Sequence, residues 1–92
     1  MELFGRVESV CGAKTLCVSV KIGEMFFPRY VNLNDIVPRD PNACIQWLSE
    51  NVIGRDVLLF VARTDRMGWY VADIECEGFD VGQKLIMNGI AD

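Results

Sequence analysis

The stretch that decides the fold is TDRMGWYVADIECEGFDVGQKLIMNGIAD, Thr64 to Asp92. It divides into turn, strand, turn, capped helix and stop. Asp65-Arg66-Met67-Gly68 has turn composition, Trp69 to Cys76 has the β-branched and aromatic content of a strand, and Glu77-Gly78 turns the chain again. Asp80 and Gln83 stand three apart, the spacing of a capping box, with Phe79 in the staple position before the cap. A helix from Val81 to Asn88 follows. Gly89 then supplies the residue that most readily turns left-handed behind a helix.

Working outward, Leu3 to Val10 alternates as a strand and Cys11-Gly12-Ala13-Lys14 is a turn. Thr15 to Ile22 puts Leu16, Val18, Val20 and Ile22 on one face. Gly23-Glu24 turns the chain into a third strand, Met25 to Leu33, in which Pro28 marks an edge or a bulge. After a loop from Asn34 to Arg39, Asp40 caps a helix with Pro41 at its first position. Cys44, Ile45, Leu48 and Val52 form its apolar face, Trp47 falls off that stripe, and Gly54 ends it. Arg55 to Arg63 is a fourth strand, whose run Val57-Leu58-Leu59-Phe60-Val61 predicts burial on both sides. Trp69 to Cys76 is the fifth.

Three strands, a helix, two strands and a helix is the order of an OB-fold barrel with a helix between strands 3 and 4 and a second helix at the end, an α+β domain. The 92 residues predict a single domain, 1–92. About half the residues are hydrophobic, enough for a core, and the formal net charge is −4. A dedicated nucleic-acid binder carries a basic excess, so this balance points away from one. The chain has no histidine, and Cys11, Cys17, Cys44 and Cys76 contain no CxxC pair. That excludes the usual zinc frameworks and predicts no metal and no cofactor. Four reduced, mostly buried thiols in a cytoplasmic protein are expected. No apolar run reaches the ~20 residues of a membrane helix, so no membrane partner is expected.

The ordered series of elements, with Asp65-Arg66-Met67-Gly68-Trp69 before the fifth strand and Gly89-Ile90-Ala91 after the last helix, resembles the staphylococcal-nuclease-like domain. That family uses Asp-Arg-Tyr-Gly-Arg and Gly-Leu-Ala at these places. The resemblance covers nearly the whole chain and implies a five-stranded OB barrel, here without the family's further C-terminal helix. It also implies where a calcium-dependent phosphodiesterase site would lie. Hard cations need oxygen ligands, and guanidinium groups grip phosphate. The family's first carboxylates fall on Cys11-Gly12-Ala13-Lys14-Thr15, where neither acid is present. Its next group falls on Arg29 to Val37, where Asn34 replaces the ligand aspartate and Val37 the catalytic glutamate. A one-residue slip puts Asp35 at the ligand position. The second arginine becomes Trp69. The resemblance thus implies a pseudo-nuclease rather than an enzyme, and is similar also to the barrel fused to Tudor domains in RNA-associated proteins.

Candidate binding residues are Arg29, Phe26, Phe27, Trp69 and Tyr70. Trp69 and Tyr70 read either as a stacking surface or as residues that seal a barrel. Met25-Phe26-Phe27 puts apolar groups on both faces of one strand, so either one aromatic meets solvent or a partner, or the C-terminal helix or a loop covers it. The expected function is a non-catalytic module for protein–protein interaction, with a second copy of the chain as one such partner. Single-stranded nucleic-acid binding without cleavage is the alternative, through Lys14, Arg29, Trp69 and Tyr70. Surface near Ile90 and Phe26 or Phe27 is expected to be open.

Overall fold

A computed structural model describes residues 1–92. Five strands, β1 (Glu2–Val10), β2 (Thr15–Ile22), β3 (Met25–Leu33), β4 (Asp56–Thr64) and β5 (Tyr70–Cys76), form one sheet in the order β3-β2-β1-β4-β5. Parallel pairing of Val31, Asn32 and Leu33 with Tyr70, Val71 and Ala72 joins β3 to β5 and closes the barrel. A two-residue strand, β6 (Phe79–Asp80), extends β5. Helix α1 (Pro41–Asn51) lies between β3 and β4, and α2 (Val81–Met87) follows β6. This is a small mixed barrel of the OB-like, α+β kind.

Alternation fills the interior. Val7 on β1, Leu16, Val18 and Val20 on β2, Val31 and Leu33 on β3, Val57 and Leu59 on β4, and Ala72, Ile74 and Cys76 on β5 are all buried. Cys44, Leu48 and Val52 from α1, with Val81 and Leu85 from α2, complete the same cluster. Ile22, at the end of its apolar row, is exposed, because β2 and β3 run past the barrel there. The Val57–Val61 run is a correction to the sequence reading. Val57 and Leu59 are buried, but Phe60 faces water and Leu58 is half-buried. A closed barrel has an inside only on one face of each strand, and no layer covers the other face of β4.

Both helix starts follow the sequence. Asp40 accepts from the Ala43 backbone N–H at 3.1 Å, and Asp80 from that of Gln83 at 2.9 Å. The return bond of a full capping box, from the Gln83 side chain, is not made. In place of an apolar staple, the Lys84 ammonium lies 5.8 Å from the centre of the Phe79 ring, a cation–π contact. Trp47 meets the same ring edge-on at 6.2 Å and plugs that end of the barrel. Gly89, at φ 74°, ends α2: its N–H donates to Ile86 and that of Ile90 to Leu85. This is the paired-bond stop that needs a left-handed residue.

The segment after α2 is tied down. The Ile90 carbonyl accepts from the Arg39 and Asp40 N–H groups and from the Cys44 thiol. Ala91 bridges to Pro38, and Val37 and Asp92 exchange two backbone bonds at 2.8 Å. Ile90 therefore packs on the core, and the expected open surface there does not exist. The four cysteines are free. Cys44 and Cys76 are buried, Cys17 is half-buried and Cys11 is exposed, so only two of the four thiols are interior.

Candidate functional site

The expected site residues divide between the two faces of β3. Strand alternation puts Phe27 and Arg29 on the side of buried Val31 and Leu33, and Phe26, Pro28 and Tyr30 on the outer side. Arg29 folds back on its own strand. Its guanidinium sits 5.5 Å from the centre of the Phe27 ring and donates to the Pro28 carbonyl at 2.9 Å. Tyr70 packs against the core, whereas Trp69 lies against Tyr30 with ring centres 4.7 Å apart and planes tilted by 41°. The β3–β5 closure creates that pair, since it sets Val31 beside Tyr70. Asp65 holds the approach to it, accepting from the Met67 and Trp69 N–H groups at 2.9 and 3.0 Å.

The turn after β1 and the loop after β3 are neighbours. Lys14 donates from its ammonium to the Ile36 carbonyl and from its own carbonyl accepts the Leu33 N–H. Asp35 has a left-handed backbone, φ 55°. With Asn34, Asp73, Asp80 and Gln83 it lines a shallow depression between β5 and α2. Burial, followed by the charges of Asp80 and Asp35, pushes the Asp73 carboxyl above the ordinary carboxylate range, against a hydrogen bond from Asn34. No group of three or more His, Cys, Asp or Glu side chains here has the geometry to hold a metal ion. Three of the six arginines are in ion pairs: Arg6 with Asp56, Arg39 with Asp92 and Arg55 with Glu77.

The more extensive surface lies on the outer face of the barrel, and the sequence reading missed most of it. Residues directly opposite each other on paired strands share a face. One row therefore runs Glu2 (β1), Phe60 (β4), Asp73 (β5). The next runs Phe4, Leu58, Glu75 and reaches Asp80 on β6. Phe26 joins from β3: with Phe4 it lines a depression of about 310 Å³ whose floor and rim include Arg6, Ser19 and Asp56. Phe4, Phe26 and Phe60 leave 42, 52 and 38% of their surfaces exposed. Full burial of such a ring is worth roughly 1.5–3 kcal/mol, so each of these half-exposed rings forgoes about half of that in the isolated domain. The available signal was Phe4, the single apolar residue in the otherwise charged series Glu2, Arg6, Glu8.

No helix is long and apolar enough to cross a membrane. No protein-family model matches the sequence, and no curated protein shows significant similarity to it.

Proposed function

We propose that this domain is a non-catalytic protein-binding module whose contact surface is the outer face of β1 and β4 together with Phe26. The observation that carries the reading is the line of exposed aromatic rings, Phe26, Phe4 and Phe60, joined by half-buried Leu58. Contiguous apolar surface edged by polar groups marks interaction sites, and rigid aromatic side chains contribute much of the energy at such sites. The resemblance to staphylococcal-nuclease-like domains supports a binding role rather than hydrolysis. Cys11, Ala13, Asn34, Val37 and Trp69 stand where that chemistry needs carboxylates and an arginine, and Arg29 is folded onto Phe27.

The test is site-specific photo-crosslinking in nuclease-treated extract of the native host. A crosslinker at Phe4 or Phe60 is expected to capture a discrete protein, and one at Glu50 on α1 is not. Capture must be competed by unlabelled wild-type domain and not by Phe4→Ser. Equal capture from both faces defeats the proposal.

A second reading has its own observation, the tilted Tyr30–Trp69 pair on the β2–β3 side beside the β4–β5 turn. OB folds bind single strands on this face, and stacked aromatics accept any base. A short oligouridylate would then quench Trp69 fluorescence, with affinity that falls as salt rises. No quenching at low salt excludes this reading.

A further inference from the structure

We propose that the partner of the outer face is a basic, amphipathic segment of another protein, one that interleaves Lys or Arg with apolar side chains. This rests on the protein-binding reading above and adds the chemistry of what is bound.

Charge complementarity carries it. The aromatic strip is bordered by carboxylates at nearly every register position. Glu2 and Asp73 flank Phe60, Glu75 flanks Leu58, and Glu8 stands at the depression that Phe4 and Phe26 line. None of these four is in an ion pair. The two side-chain cations on the same surface are Arg6, already bonded to Asp56 at 3.0 Å, and Lys21, opposite Phe26. The surface therefore holds apolar area together with four carboxylates that no side-chain cation pairs.

That combination selects among occupants. A nucleic acid would bring phosphate against carboxylates. A second copy docked face to face would set Glu2, Asp73 and Glu75 against their own kind, and like charges across an interface are strongly disfavoured. An acidic or neutral peptide would leave the carboxylates desolvated without partners. Cationic side chains at the rim neutralise them, speed encounter and allow apolar neighbours to cover Phe4 and Phe60.

The experiment is selection of a displayed library of random short peptides on the intact domain, with counter-selection on Phe60→Ser. Thermal melts of both proteins check folding. The expected outcome is enrichment of peptides rich in Lys and Arg that alternate with Leu, Phe or Trp. A chosen peptide should bind Glu2→Gln/Glu75→Gln about two- to fivefold more weakly per charge removed at low salt, and the difference should fade at high salt. Those two rim changes touch no core residue, so they report on charge even where Phe60→Ser unfolds. Enriched peptides that are neutral or acidic, or binding indifferent to the double variant, overturn the basic-partner inference and leave the protein-binding reading standing. No enrichment that distinguishes Phe60→Ser from wild type overturns both. A concentration-dependent dimer in sedimentation that Phe60→Ser abolishes identifies the second copy as occupant and overturns the inference.

Discussion

Gly5→Ala is the substitution whose outcome propensity and geometry predict with opposite sign. Gly5 is buried in the middle of β1, opposite Val20 and Val57. Its backbone is not in the left-handed region, so propensity alone favours alanine, by about 0.4–1 kcal/mol through the unfolded chain. A Cβ at this position, however, would sit 2.7 Å from Val18 Cγ1 and 2.9 Å from the Ser19 carbonyl oxygen, closer than real Cβ atoms approach. The carbonyl belongs to the β1–β2 ladder and cannot rotate away, so the two strands must separate. Overpacking of this kind costs about 1–3 kcal/mol, and the net expectation is a loss of about 1–2 kcal/mol. In a domain of this size that lowers Tm by roughly 5–15 °C. Gly82→Ala is the internal control. Its Cβ would meet Ile36 Cδ1 at 2.8 Å and Cγ1 at 3.0 Å, side-chain rather than backbone atoms, and alanine improves the helix by about 1 kcal/mol. Its loss should be clearly smaller. Urea unfolding of both variants, with m compared to wild type, measures the difference. Gly5→Ala as stable as wild type, at unchanged m, would refute the close approach of β1 to β2.

Asp80→Ala should cost about 1 kcal/mol in urea unfolding, since it removes the acceptor for the Gln83 N–H at the start of α2. Asp73→Asn should stabilise the domain near neutral pH. The raised Asp73 pKa means that the folded state holds this proton more tightly than the unfolded state. Its stabilising effect is complete below the ordinary Asp value and is lost as pH rises through the raised one. The gain from Asp73→Asn should therefore shrink on acidification, and a gain of equal size in acid and at neutrality would contradict this. In a native thiol titration Cys11 should react first and Cys17 more slowly. Cys44 and Cys76, whose thiols burial pushes up, should react only on unfolding. Prompt reaction of Cys44 would mean that the Ile90 contact is open.

The local devices were legible in the sequence because their causes are local. Asp40 with Pro41, Asp80 with Gln83, and Gly89 each act within a few residues. The alternation of Leu16, Val18 and Val20 needs only one strand's own pleat. What escaped depends on which distant strands become neighbours. Phe60 read as interior because an unbroken apolar run does not reveal that one of its faces lacks a covering layer. Phe4 and Phe60 join one surface only through the pairing of β1 with β4, and Tyr30 meets Trp69 only through the barrel's closure. The fold-back of Arg29 onto Phe27 is a rotamer choice that spacing does not encode. Ile90 looked free because its carbonyl partners lie in the Pro38–Cys44 region, more than forty residues earlier.

The ties made by Ile90, Ala91 and Asp92 also bear on how the domain comes into being. Strands β1 to β3 are translated well before β5, yet β3 cannot close the barrel without Tyr70–Ala72. The start of α1 keeps three donors unmatched until Ile90 arrives. A nascent chain that has emerged only as far as Gly89 thus exposes unpaired backbone at Val37–Asp40 and apolar surface beside it. Completion of the fold should therefore wait until residues 90–92 are free to pair with Val37–Cys44.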